Sequence, residues 1–429
     1  MLLSLGIDIG TTGVKTATIN SDGEVLSISN IKHKIQNSDK IDPSIWWKTV
    51  KIAIRSNLIG LNNNGINSFK ISKLAVDGTS GTVLLANEYL QPVTRALMYN
   101  SSGFVEEAKI IEKYSPENHI AKGQNSTLAR ALKLIKEDKN RKAKYLMHQA
   151  DFIVANLLKK GGLSDHNNTL KLGYDIKKNS WPEWIIKTGL KKYLLPKVYP
   201  VGTQLGKLND SVANELGLDR NTNIYAGTTD SNAGFLSCAT FKKGSAVTSL
   251  GSTLTVKILS ENQIEDSNIG LYSHKLGNYW LVGGASNTGG HVLEKYFTVN
   301  EIINLSKDIN PNNISGFEYY PLTKVGERFP KNDPKLKPCL TPRPKNEALF
   351  LHGLFEGMAK IEKKSYDAIS QLGGFFPNHI FTVGGGSTNM VWEKIRIKII
   401  KTKISPGKNV EAAVGTAKIP FLFCNKNLT

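Results

Sequence analysis

At 429 residues the chain is too long for one ordinary hydrophobic core, so two domains are expected. Its 40% hydrophobic and 21% charged content excludes a disordered chain, and no apolar run is long enough to span a membrane. The net charge of +19 raises the question of nucleic acid. The basic residues are spread along the chain, however, and the densest stretch, 136–144 (KEDKNRKAK), carries acids and no aromatics. That pattern reads as a solvated lysine-rich surface, with no nucleic acid and no membrane as partner.

In chain order, 3–9 reads as a strand, 10–13 (Gly-Thr-Thr-Gly) as a turn, 14–19 as a second strand and 25–28 as the start of a third. A helix is predicted over 44–58, opened by Asp42-Pro43. A short buried strand at 73–76 runs into Asp77-Gly78-Thr79-Ser80-Gly81-Thr82. Residues 104–160 read as mostly helical and the Gly/Asn/Asp-rich 161–168 as loop. Residues 224–226 form a strand, and Asp230 opens a helix through Leu236. The pattern then restarts: strands at 245–250 and 254–258 flank Gly251-Ser252-Thr253, a helix covers 347–372, a strand covers 380–383, and 391–400 is helical. These elements predict an α/β chain with domains 1–236 and 237–429.

The opening MLLSLGIDIG lacks a basic leader region and does not read as a signal peptide. Cys238, Cys339 and Cys424 are far apart and form no CxxC pair, which fits a cytoplasmic protein without disulfides or structural zinc.

Two strand–turn–strand units, GIDIGTTGVKTATI and SAVTSLGSTLTVKI, place small hydroxyl residues and exposed backbone N–H groups at hairpin tips, which suits phosphate oxygens as well as an ordinary turn. Asp8, just before the first tip, is either a turn residue or a carboxylate for a nucleotide-borne Mg²⁺, which needs only one or two protein ligands. Asp230 is either a helix cap or a general base that the helix N-terminus keeps ionised. The triple glycine 384–386 allows close approach of a ligand. Trp392 is a core residue or an adenine wall. Neither a P-loop nor a G-x-G-x-x-G fingerprint occurs.

DIGTTGVK at 8–15, DPSIWW at 42–47, GTTDSNAG at 227–234, SLGSTL at 249–254, GGGSTNMVW at 384–392 and EAAVGTA at 411–417 occur in that order. Together they resemble the FGGY carbohydrate kinases of the actin-like ATPase superfamily. The resemblance implies two ribonuclease H-like domains around a central cleft, ATP and Mg²⁺ as cofactors, and phosphorylation of a sugar hydroxyl. Carried over motif by motif, it makes Asp230 the catalytic base and Asp8 the Mg²⁺-linked carboxylate. Thr11 and Thr12 become the first phosphate loop, Gly251 and Ser252 the second, and Gly385, Gly386, Asn389 and Trp392 the adenosine motif. The sugar site, first phosphate loop and base then fall in 1–236, the second loop and adenosine site in 237–429.

The sugar-contacting segment reads Met98-Tyr99-Asn100-Ser101-Ser102 where many family members carry Trp-x-Asp-x-Arg. Asp77-Gly78-Thr79-Ser80-Gly81 replaces the Gln-x-His-Gly of xylulose kinases and is similar to the ribulose-type pattern. The sugar-facing set implied is Asp8, Ser80, Asn100 and Asp230. The chain most resembles the short plant and cyanobacterial D-ribulose kinase group, implying D-ribulose 5-phosphate as product; the oligomeric state, monomer or homodimer, is left open. The alternatives are a xylulose or other polyol kinase, or an ATPase-fold protein with no sugar product.

Overall fold

The computed structural model describes residues 2–34 and 40–423, so Cys424 lies outside the described residues. Two compact units are present. One comprises the chain up to Ser237, Lys275–Gly277 and the segment from Asn409 on; the other comprises Cys238–His274 and Asn278–Lys408. The division departs from 1–236 and 237–429 in that Lys275–Gly277 and the segment from Asn409 belong with the first unit, the latter for the steric reason given below.

In the first unit, β1 (Leu3–Ile9), β2 (Gly13–Asn20) and β3 (Val25–Lys32) form an antiparallel meander. Helix α1 (Ser44–Asn63) follows, with the Asp42 carboxylate accepting the Ser44 amide at 2.9 Å. Strand β4 (Ile71–Gly78) then runs parallel to β1. After α2 (Thr127–Glu137) and α3 (Gln149–Leu158) come β5 (Gln204–Lys207) and β6 (Asn223–Thr229), with β6 parallel to β4. Helix α4 (Asp230–Cys238) starts directly at the end of β6. The sheet order is β5-β6-β4-β1-β2-β3. Leu3, Leu5, Ile7 and Ile9 enter one core with Trp46 and Ile54 of α1 and with Phe152 and Leu157 of α3. Side chains alternate along a strand, so Ser4, Gly6 and Asp8 belong to the opposite face.

A smaller sheet joins Lys40–Ile41, Ala96–Leu97, Val83–Ala86 and Tyr145–His148. Tyr145–His148 is a strand within the otherwise mostly helical 104–160, and the strand Leu163–Asp165 corrects the reading of 161–168 as loop. Each is only three or four residues long and pairs with a segment remote in sequence, Val83–Ala86 or Lys197–Tyr199. Their local periodicity is too short to distinguish them from their surroundings.

The second unit repeats the plan. Strands β7 (Ser245–Leu250), β8 (Leu254–Ser260) and β9 (Tyr279–Ser286) are antiparallel in succession. After α5 (Val299–Ser306) and α6 (Glu347–Gln371), β10 (His379–Val383) pairs parallel with β7. Helix α7 (Met390–Ile400) leads to β11 (Lys403–Pro406), parallel to β10. The order β9-β8-β7-β10-β11 thus matches β3-β2-β1-β4-β6 of the first unit, direction for direction. A buried ion pair ties this unit together. Arg396 on α7 donates from Nε and Nη2 to the two Glu362 oxygens on α6, each at 2.7 Å, and from Nη1 to Thr382 Oγ1 on β10 at 2.8 Å. The Thr248 hydroxyl of β7 donates to Glu362 Oε1 at 2.5 Å.

Helix α8 (Ala412–Leu422) covers the Gly6 face of the first sheet, with Ala413, Val414 and Ala417 against Ala17 and Ile19. The approach is backbone to backbone. A Cβ on Gly6 would lie 2.0 Å from the Ala413 carbonyl oxygen, and one on Gly415 would lie 1.8 Å from that of Ala233 in α4. Lys418 donates to the carbonyls of Leu236 and Ser237 at 3.0 and 2.8 Å, satisfying the last turn of α4. Small residues at 412–417 are therefore what return the chain to its first unit.

Gly415→Ala is expected to lower the stability of the first unit by about 3 kcal/mol or more, the upper end for overpacking, because only backbone surrounds the added methyl group. Urea unfolding followed by the fluorescence of Trp46 and Trp47 measures this. A midpoint equal to wild type would show that α8 does not lie at that distance.

Candidate functional site

In the first unit, strand register sets carboxylates side by side. Asp8 stands opposite Lys15 on β2 and opposite Asp77 on β4, and Asp77 stands opposite Thr228 on β6. Two residues beyond Thr228, Asp230 opens α4, and its Oδ1 accepts the Ser231 amide at 2.6 Å. Asp8 and Asp77 are neighbours in register on adjacent strands; the Thr416 hydroxyl of α8 donates to Asp77 Oδ2, and Asp77 Oδ1 is buried without a hydrogen bond. Burial pushes the Asp8 carboxyl up to about 6, and the nearby Asp230 charge adds to this while Lys15 opposes it. Asp77 is held well above the usual carboxylate range, by its complete burial first and by Asp8 next. Of the two, the wholly buried Asp77 is the carboxyl that its surroundings bias further toward the protonated form.

The end of β6 is braced by residues that sequence reading missed. Asn167 and Asn168 donate to Thr228 Oγ1 and to the Thr228 carbonyl at 2.9 and 3.3 Å. Asp165 caps their turn, accepting both amides at 2.8 and 3.0 Å. The available signal was Ser-Asp-His-Asn-Asn within 161–168, a cap signature passed over as loop composition.

Thr11 and Thr12 sit exposed at the β1–β2 tip, where Gly10 donates to the Gly13 carbonyl at 2.9 Å. Beyond β4, Ser80 lines a cavity of about 420 Å³ with Tyr99, Lys122, Thr127, Arg130 and Lys171. Ser80 Oγ is buried and makes no hydrogen bond. Asn100, expected to face the sugar, is exposed and absent from this lining, to which its neighbour Tyr99 belongs instead. The backbone turns there because Arg130 draws in the carbonyls of Tyr99 and Ser101.

In the second unit, Gly251 and Ser252 form the β7–β8 tip, their carbonyls accepting the amides of Gly290 and His291 at 2.7 and 3.3 Å. A cavity of about 500 Å³ adjoins them, walled by Leu293, Val299, Ile302 and Ile303 on one side and by Gly385 and Gly386 on the other. Gly385 has open space where a Cβ would stand. Two members of the expected adenosine motif serve largely internal roles. Asn389 accepts the Trp392 amide and donates to Ser306 Oγ, both at 2.9 Å, capping α7 and tying it to α5. Trp392 touches the cavity but is 2% exposed and stacks on Phe355 with ring centroids 4.8 Å apart, so it offers no free face to an adenine. Gly386 makes room for that ring, since a Cβ there would lie 2.6 Å from it. Among the described residues no cluster of three or more His, Cys, Asp or Glu could hold a metal, and no helix is long and apolar enough to cross a membrane.

The arrangement of each unit has known counterparts. Residues 3–237 match the N-terminal domain model of the FGGY family of carbohydrate kinases. A xylulose kinase from Staphylococcus xylosus is 24% identical, over 94% of this chain and 87% of that one. The structure of a xylulose kinase from Rhodospirillum rubrum superposes with a TM-score of 0.84 at 16% identity, covering 100% of this chain and 91% of that one. Glycerol kinase from Plasmodium falciparum, solved with ADP, gives 0.83 at 18% identity, covering 99% and 90%. The structural likenesses establish the fold, the mixed α/β two-domain fold of FGGY sugar kinases and of actin-like ATPases. With its first 237 residues accounted for by the family model almost end to end, the chain belongs to the FGGY family of carbohydrate kinases.

Proposed function

We propose that this chain is an ATP- and Mg²⁺-dependent kinase acting on a ketopentose, with D-ribulose as substrate and D-ribulose 5-phosphate as product. The observation that carries the reading is the carboxylate set Asp8, Asp77 and Asp230 at the ends of adjacent strands. Asp230, at the start of a helix, sits where the helix dipole favours its ionised form, the state a base needs to take a proton from a sugar hydroxyl. That oxygen attacks the γ-phosphorus, ADP leaves, and the proton stays on the Asp230 carboxyl. Such a transfer depends on positioning and charge stabilisation more than on covalent chemistry from the protein.

Asp8 fits a divalent cation carried by the nucleotide, because its half-buried carboxylate is under-neutralised and one or two such ligands suffice for Mg²⁺. The metal would supply charge neutralisation on phosphate oxygens. Asp77, beside Asp8 on the next strand and biased toward its protonated form, adds little repulsion to that site. Thr11 and Thr12, and separately Gly251 and Ser252, offer hydroxyls and backbone N–H groups to phosphates. The cavity beside Gly385 and Gly386, at about 500 Å³, suits an adenosine.

Ser80, with its unpaired buried hydroxyl, supports the choice of D-ribulose, since it offers a small neutral partner to the C3 hydroxyl that distinguishes the epimers. A second reading, D-xylulose, is favoured by the named xylulose kinases among its relatives.

Asp230→Asn keeps a good helix cap and should lower the phosphorylation rate about 10²–10⁴-fold with ATP affinity nearly intact. Coupled ADP release and calorimetry measure the two quantities. A variant retaining a tenth of the wild-type rate, roughly a factor below any general-base effect, would remove Asp230 from the reaction.

Asp8 loses its charge as pH falls through about 6, so kcat/KM for ATP should decline below that pH by up to about tenfold per unit. A profile flat down to pH 5, roughly one unit below that midpoint, would contradict the ligand role.

D-Ribulose should exceed D-xylulose in kcat/KM by roughly tenfold to a hundredfold, the cost of one mispaired buried polar group. Ser80→Ala should narrow that gap. Parity, or preference for D-xylulose, would select the second reading.

A further inference from the structure

The cavity that contains Ser80 holds more positive charge than a neutral sugar calls for. Arg130 on α2 is 3% exposed, and its guanidinium is spent on uncharged carbonyls. Nε donates to Ser101 at 3.3 Å, Nη1 to Gly81 at 3.2 Å, and Nη2 to Ser101 at 3.1 Å and to Tyr99. No acid among the described residues offsets the burial, which draws its pKa down to about 10. Lys122 and Lys171 line the same cavity, and no Asp or Glu does.

Two hydroxyls in the lining are unpaired. Thr127 is 1% exposed, and its Oγ1, like Ser80 Oγ, is buried without a hydrogen-bond partner. Gly81, in the left-handed region at φ +89°, keeps the space between them open. A Cβ there would lie 2.8 Å from Thr127 Oγ1 and 3.3 Å from Arg130 Nη1. A buried cation without a counter-charge is costly, and buried donors without acceptors are rare in folded proteins. One kind of ligand answers both conditions: a group carrying negative charge on several oxygens.

We propose that this cavity is an oxyanion subsite, which takes a carboxylate or phosphate group against Arg130, Lys122 and Lys171 and the hydroxyls of Ser80 and Thr127. The group can be the carboxylate of a sugar acid presented as acceptor, or a free phosphate. Its arrival on an acceptor rests on the kinase reading above, because Ser80 lies three residues beyond Asp77; binding of the oxyanion itself does not.

Substituting Arg130 would also release three backbone carbonyls, so Thr127→Val and Lys122→Ala carry the test. Calorimetric titration with inorganic phosphate and with D-gluconate, at matched ionic strength, should show binding of at least one to wild type. Either variant should weaken that binding about tenfold or more, as expected for loss of a hydrogen bond to a charged group. Coupled ADP release with D-gluconate and with D-ribulose then identifies the source. Turnover of gluconate supports entry on the acceptor, and variant-sensitive phosphate binding with turnover of neutral sugars alone supports a free oxyanion. If neither sugar is phosphorylated while variant-sensitive binding persists, the subsite stands and the kinase reading fails. Absence of binding by both anions, or binding equal in wild type and both variants, overturns the proposal.

Discussion

The backbone contact between α8 and the first sheet is the constraint on which the carboxylate site depends. Two glycines set the distance: Gly6 on β1 and Gly415 on α8 each meet a main-chain carbonyl where any side chain would stand. Only at that separation does the Thr416 hydroxyl reach Asp77. That hydroxyl partly offsets the burial of Asp77, which together with the neighbouring Asp8 charge still holds its carboxyl well above the usual range, so the pair carries less negative charge than two free carboxylates would. Three acids packed at neighbouring strand ends without such an arrangement would repel one another.

The two units share one strand plan and use it differently. Both place a hydroxyl-bearing hairpin tip after the central strand, Thr11-Thr12 after β1 and Ser252-Thr253 after β7. In the first unit the neighbouring strand ends bear acids. In the second the equivalent layer holds a cation clamped by an acid, Arg396 on Glu362, wholly inside the core. One such pair is structural, since breaking it would strand a buried charge. Among the described residues no ion pair of comparable burial engages Asp8 or Asp77, whose carboxyls burial instead pushes up, a pattern frequent where charge arrives with a ligand.

How much of this was legible in the sequence follows from the range of each interaction. Asp8, the hairpin tips, the triple glycine and the helix at Asp230 were readable because strand alternation and turn chemistry act within a few residues. Arg130 was not, since its role lies in carbonyls some 30 to 50 positions earlier. Asn167 and Asn168 brace a strand about 60 positions later. Trp392 was read from its motif as an adenine wall, yet its ring packs on Phe355 of α6, and nothing near it in sequence announces that partner. Nor does anything near 412–417 announce that its small residues meet a surface in the first unit.

The return of α8 has a consequence for how the protein is made. During synthesis on the ribosome, the residues through Ser237 emerge well before Ala412, with the whole second unit translated in between. At about 5–20 residues per second, the first sheet waits on the order of ten seconds or more with its Gly6 face uncovered. The apolar surface of Ala17 and Ile19 is open to wrong partners for that interval, and a nascent chain stalled before Ala412 would present it indefinitely. Chaperone engagement with this chain should therefore concentrate on one face of one sheet and end when the last helix arrives.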